Sequence, residues 1–268
     1  MSGRRRQRAR ARVVHQDEVP AQLIHTKPPL PPGDVSVRTL IDRSAGSRML
    51  VQQVLRIRGE VPVTPQRKSE NVLYVVQGSA WFLTGGAGED GGSDEARGDP
   101  LWPGTAALVP PGSECRVART SAEDLVVVSV LSPPPGIRPS VRDPRPYEGV
   151  SLVREEDQSA TAVGDRRSFR VLIDPLSGAH NVTQFVGLIE RSRAPFHAHV
   201  HEETIYVLDG NGVAHLEDRA EPIRPGTSIF LPPGTPHCLE NRDEEALKVL
   251  GVFSPPGSPA HMTEEASR

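Results

Sequence analysis

Short apolar runs recur along the chain at 50–57, 72–76, 125–131, 182–189, 204–208 and 246–253. Each is rich in Val, Ile, Leu or Phe and is closed by Gly, Pro, Asp or Ser. β-branched and aromatic residues bounded by turn formers fit a pleated, buried surface, so these windows predict strands of about five to eight residues. No window of comparable strength shows the 3.6-residue period of a long amphipathic helix. The 27 prolines and 24 glycines suit many short elements joined by turns. The expectation is an all-β chain with little helix.

The pattern also repeats. YVVQGSA at Tyr74 returns as YVLDGNG at Tyr206, PGTAALVPPGS at Pro103 as PGTSIFLPPGT at Pro225, and SPPPG at Ser132 as SPPGS at Ser254. Three blocks in the same order imply two related domains. The tyrosine blocks lie 132 positions apart (206 minus 74) and the later blocks 122 (225 minus 103), so the first copy holds ten additional residues. Their natural place is GGAGEDGGSD at 85–94, which reads as a surface loop. The proline-rich 132–146 reads as an extended connector. The division expected is a disordered basic arm and lead-in at 1–33, a first barrel at 34–133, a linker at 134–167, a second barrel at 168–256 and a polar tail at 257–268.

Charge narrows the function classes. A formal net charge of -3 offers no overall attraction for nucleic acid or anionic membrane. The one basic concentration, RRRQRARAR at 4–12, has no apolar run behind it, so it lacks the form of a secretory signal or anchor and reads as a solvated arm. A gene-regulating sensor would need a reader domain, and the first 33 residues are too short and proline-rich for a helix-turn-helix. Two cysteines, Cys115 and Cys238, make no disulfide framework, so a reducing, cytoplasmic setting is expected.

Candidate chemistry sits in the second copy. RAPFHAHVHEETIYVLDG places His197, His199 and His201 at alternate positions of an expected strand, with Glu203 in the same parity. Side chains two apart share a face, so two imidazoles and a carboxylate can converge on one ion. A further ligand is available from GTSIFLPPGTPHCLEN, where a turn delivers His237 onto a neighbouring strand.

The spacings His-x-His-x-x-x-Glu-x6-Gly from His197 to Gly210, and Gly-x5-Pro-x-Gly-x-x-His-x-x-x-Asn from Gly226 to Asn241, resemble the two cupin motifs. The chain departs from that pattern once, with Arg191 where the family usually has Gly. The resemblance implies two tandem cupin (jelly-roll β-barrel) domains, with His197, His199, Glu203 and His237 as metal ligands. His201 is then expected beside the ligands or exposed, and Cys238, of opposite parity to His237, in a packing role. Aligning the copies sets Pro65 against His197, Arg67 against His199, Asn71 against Glu203 and Cys115 against His237, so the first barrel should be metal-free. It is expected to act as a packing partner for the second.

Three imidazoles and a carboxylate suit one divalent transition metal per chain, iron or manganese first, with nickel, cobalt, zinc or copper also compatible. An octahedral shell would keep two positions open for substrate, dioxygen or water. Arg193 could face an anionic substrate, Thr183 or Gln184 could put a polar group into the barrel, and Phe230 and Leu239 could form an apolar wall. The leading expectation is a dioxygenase-type oxidoreductase acting on a small organic molecule. A redox-neutral isomerase, lyase or hydrolase, including one similar to ureidoglycine aminohydrolase, and a non-catalytic small-molecule sensor stand beside it. A homodimer is expected by analogy with bicupins; a membrane or nucleic-acid partner is not.

Overall fold

The structure is a computed structural model, and it describes residues 9–26, 33–63, 67–84, 97–137, 146–164 and 166–260. The arginines at 4–8, the loop at 85–94, Pro65, residues 138–145 of the connector and the tail after 260 lie outside the described residues. The described chain is built of antiparallel strands with two 3-10 turns, Gln16–Glu18 and Arg43–Ala45.

Each repeat curls into a barrel. The first begins with the sheet order Ser151–Arg154, Thr105–Val109, Glu70–Gln77, Leu125–Ser132, Val51–Val63, with Gly33–Ile41 and Gln22–His25 added beside Val51–Val63. Val51–Val63 is long enough to serve both walls. Its first part pairs with Leu125–Ser132, and its end pairs with Cys115–Arg119, which leads on to Ala80–Thr84 and Arg97–Leu101. The second barrel has a seven-stranded sheet in the order Arg12–His15, Thr227–Leu231, Glu202–Asp209, Leu247–Ser254, Thr183–Ile189, Arg167–Ile173, Thr161–Ala162. It faces a four-stranded sheet of Ser192–Arg193, His237–Asn241, Gly212–Leu216 and Arg219–Ile223.

The continuous apolar runs are explained by burial on both faces. Along Leu125–Ser132, Leu125 and Val127 point into the first barrel while Val126, Val128 and Val130 join a core shared with the second barrel. Leu172, Val186, Leu250 and Val252 meet them from the other side. Successive strand residues alternate faces, so a strand between two cores must be apolar throughout. Ser132 Oγ and Ser254 Oγ, the same position in the two copies, lie 3.2 Å apart in this interface. The glycine of each tyrosine block closes its turn at positive φ, +80° at Gly78 and +74° at Gly210. A Cβ there would stand 2.7 Å from Asp124 O or 2.6 Å from Ala246 O.

Two expectations are corrected here. Residues 12–15 are not a free arm: Arg12–His15 pairs with Thr227–Phe230 of the second barrel, and Val14 is buried in the shared core. Likewise the expected linker contains Ser151–Arg154, paired with Thr105–Leu108 of the first barrel. Each repeat thus lends its leading strand to the other barrel. The exchange is symmetrical in detail, because Tyr206 Oη donates to Gln16 Oε1 at 3.0 Å and Tyr74 Oη donates to Glu155 Oε2 at 2.5 Å. Local sequence hid this because each of these strands is only four residues long, with a weak pattern of its own, and the first pairs with a segment more than 200 positions away.

Candidate metal centre

The two motifs meet at a backbone bridge. His197 N donates to His237 O at 3.0 Å and His237 N to His197 O at 2.9 Å, while Gly234 N donates to His199 O at 2.7 Å. The turn of the second motif is thereby tied to the first. The histidines do not ride one continuous strand as expected. After Ser192–Arg193 the ladder is interrupted at Pro195, which has no N–H to give; His197 sits in an isolated bridge, and regular pairing resumes with Glu202–Asp209.

The result is a tight cluster. The ligand nitrogens of His197, His199 and His237 lie within 4.8 Å of one another. Glu203 Oε2 stands 3.7 Å from His199 Nε2 and 3.7 Å from His237 Nε2. His199, Glu203 and His237 are buried. The other ring nitrogens are committed to the backbone: His197 Nδ1 lies 3.1 Å from Pro195 O and His237 Nδ1 2.9 Å from Thr235 O. This turns both Nε2 atoms inward, the arrangement that fixes ring orientation in histidine metal sites.

Burial perturbs the charge states of the cluster. Burial pushes the Glu203 carboxyl up to about 8. Burial, with His197 and His199 beside it, drives His237 down to about 3. His197 is lowered too, first by burial and also by the Arg167 guanidinium. Glu203 Oε2 has no hydrogen-bond partner, although it is fully buried. Donors that each stand about 2.0–2.2 Å from one ion are themselves about 3–4 Å apart, so the 3.7 Å separations and the unpartnered carboxylate oxygen fit a cation between them. A three-histidine group placed this way could hold a metal ion.

The cluster opens on a cavity of about 120 Å3, walled by Phe169, Phe185, Phe253, Ile205, Leu239 and Val249, with Arg167 as its cation. Phe253 lies against the His199 ring at 4.9 Å. Of the residues expected to meet a substrate, Leu239 does line the cavity.

The others do not. Arg193 is exposed, opposite Glu240 on an outer strand pair, with its guanidinium over the Phe196 ring. His201 stacks on Phe253 outside the cavity lining, against Gly257. Thr183 Oγ1 accepts from Gly257 N at 3.2 Å. Gln184 and Phe230 have the parity of the shared core, where Phe230 packs and where the Gln184 amide is fully buried. Sequence parity was known for these residues, but which parity faces inward is set by the barrel's closure. Arg167 and the three phenylalanines were missed, because strand-forming residues at wide separations carry no motif. Asn241, the last residue of the second motif, works on the backbone: its Nδ2 donates to Ile189 O and Glu245 O.

In the first barrel the corresponding positions hold no metal-ligand set among the described residues. Asn71 stands at the register position of Glu203, and Cys115 at that of His237. The partner of Cys115 is Val63, where the alignment of the copies had set Pro65 against His197. Burial pushes the Cys115 thiol up to about 12, which makes it an inert core group. No helix among the described residues is long and apolar enough to cross a membrane.

Comparison with known proteins agrees with this architecture. Residues 185–253 match the family model of the cupin domain. An uncharacterised protein of Methanocaldococcus jannaschii is 37% identical over 60 residues, covering 22% of this chain and 48% of that protein. One from Aquifex aeolicus is 32% identical over 69 residues, covering 26% and 57%. The chain therefore matches about half the length of these curated relatives. A Pseudomonas aeruginosa protein named as glyoxylate-induced superposes with TM-score 0.72 at 18% identity, over 100% of this chain and 97% of its own. Ylba of E. coli gives 0.67 at 16%, over 92% of both chains. Bacillus subtilis oxalate decarboxylase, studied for its Mn(II) centres, gives 0.68 at 14%, over 92% of this chain and 78% of its own. The chain shares the two-barrel fold of these structures, and its second barrel, which bears the histidine cluster, contains the segment that matches the cupin domain.

Proposed function

We propose that His197, His199, Glu203 and His237 hold one divalent transition metal, and that the second barrel uses it to transform a small organic anion as a dioxygenase-type oxidoreductase. The observation that carries this reading is the buried, unpartnered Glu203 Oε2 held 3.7 Å from two imidazole nitrogens. When bound, iron or manganese supplies a Lewis acid and a one-electron centre for dioxygen. The chain's own part is placement. Pro195 O and Thr235 O orient the imidazoles, the phenylalanine walls exclude water, and Arg167 offers a charge-assisted hydrogen bond to a substrate carboxylate. The cavity of about 120 Å3 restricts the substrate to a few heavy atoms beside the metal.

A redox-neutral reaction on a small carboxylate is the second reading. It is favoured by that small, arginine-bearing cavity and by the likeness in fold to an oxalate decarboxylase with Mn(II) centres. Elemental analysis of untagged protein tests the metal site: about one ion per chain, lost in His237→Ala, is expected, and two ions or no loss would refute a single site. Oxygen uptake by the iron-loaded protein, run against a panel of small mono- and dicarboxylates, separates the readings. Turnover without oxygen consumption selects the redox-neutral one. Failure to retain any metal sinks both.

A further inference from the structure

The first barrel is larger inside than the second. Its cavity measures about 440 Å3, against about 120 Å3 around the histidine cluster. The two linings differ position by position. In the second barrel Phe169, Phe185 and Phe253 occupy the interior, and the strand registers put Val37, Gln53 and Leu131 at the same positions of the first. Three rings have been replaced by smaller side chains, while Leu55 and Ser129 stand where the second barrel has Gly187 and Gly251.

The walls are apolar, with Val35, Leu55, Ile57, Leu73, Val75 and Val127 among them, and among the described residues the lining contains no Asp, Glu, Lys or Arg. At the position of Glu203 stands Asn71. Ser129 Oγ donates to its Oδ1 at 2.8 Å, which leaves Nδ2 as the donor available to the cavity. Ile24, half-exposed, and His25 line the cavity from the edge strand Gln22–His25.

A barrel kept only for packing would gain from filling this space, because an apolar void destabilises in proportion to its volume and holds water poorly. The volume instead falls within the range of small-molecule pockets, and few convergent polar groups in an apolar wall are what orients a ligand in them. We infer that the first barrel is a second binding site, for a neutral and largely apolar small molecule carrying a hydrogen-bond acceptor that meets Asn71. This inference is independent of the metal reading. No ionised ligand suits it, because among the described residues no lining side chain carries the opposite fixed charge.

The full-length protein can be titrated with prodan, a neutral naphthalene ketone whose emission shifts to the blue in an apolar site. One saturable site is expected. The double variant Val37→Phe with Leu131→Phe returns two of the second barrel's own residues and should weaken binding at least about tenfold while keeping the wild-type circular dichroism. Asn71→Leu should weaken it about tenfold by removing the donor to the ketone. No saturable binding by the wild type, or unchanged affinity in the folded double variant, overturns the inference. Should that variant fail to fold, unchanged affinity in Asn71→Leu overturns it instead.

Discussion

Glu202 and Glu203 are neighbours on one strand, and their carboxylates serve opposite sides of it. Glu203 Oε2 faces His199 and His237 inside the barrel, whereas Glu202 accepts from Ser47 Oγ, Arg48 N and Met49 N of the other repeat, at 2.8–3.1 Å. The first barrel mirrors the second contact, since Glu70 accepts from His180 N, Asn181 N and Tyr147 Oη. One carboxylate of the pair faces the histidine cluster and its neighbour the joint between barrels.

The two should separate by experiment. Glu202→Ala removes the acceptor of one buried and two part-buried donors and is expected to cost about 2–5 kcal/mol in urea unfolding, with metal content of the folded variant unchanged. Glu203→Gln should do the reverse, losing most of the metal at small cost in stability. Equal metal loss in both would mean that the joint, and not the ligand, governs the site.

Stability of the metal-free protein should depend on pH with a definite sign. Glu203 is raised from 4.5 to about 8, so its contribution is present below about 4.5 and is lost as pH rises through about 8. His237 is lowered from 6.5 to about 3, so its contribution is present above 6.5 and is lost as pH falls through about 3. Between those ordinary values the two oppose each other, and above 6.5 Glu203 acts alone. The melting temperature of chelator-treated protein should therefore fall from about pH 6.5 to pH 8, and Glu203→Gln should flatten that fall. A rise over that interval in the wild type would contradict the assignment.

Metal should reverse the effect, because ligation needs the ionised carboxylate. At a free metal concentration about a hundredfold above Kd, binding adds about 2.7 kcal/mol, and the gain in melting temperature should grow as pH rises toward 8. Differential scanning calorimetry with and without added manganese measures it directly.

The exchanged strands make a separate prediction. Val14 is 6% exposed in the shared core and its strand covers the edge Thr227–Leu231. Val14→Asp buries an unpaired charge and should cost about 3 kcal/mol or more, with loss of both barrels in one transition. A variant as stable as wild type would show that the leading strand is dispensable.

Arg167 can be tested as the anion contact. Arg167→Met should weaken binding of a small carboxylate to the manganese-loaded protein about tenfold or more, read by calorimetric titration, with metal content unchanged. Unchanged affinity would remove Arg167 from the substrate site.

The strands, the doubling and the metal cluster were legible because each is carried by residue type at short range. Val- and Leu-rich runs between turn formers need no distant partner to be recognised, and Tyr74 with Tyr206, or Pro103 with Pro225, lie in blocks long enough to align. His197, His199 and Glu203 are close in sequence, and the turn before His237 carries its own Pro and Gly. The cavity-lining residues were less legible. Leu239 lines the cavity beside the histidines, whereas Phe230 and Gln184 face the other barrel and Arg193 the surface. Parity along a strand says which residues share a face, and only the neighbouring sheet says what that face meets.

The amino-acid sequence alone thus determined an all-β chain of two related barrels, and singled out the histidines that cluster in the second. Tertiary structure decided what sequence leaves degenerate. It turned the leading segment, expected to be a free arm, into a strand of the opposite barrel, brought Arg167 and three phenylalanines around the cluster, and left the first barrel with an open apolar interior. The physical reason is common to all of these. Local propensity and spacing act over a few residues, whereas pairing across some two hundred positions and the volume left inside a barrel exist only once the chain has closed.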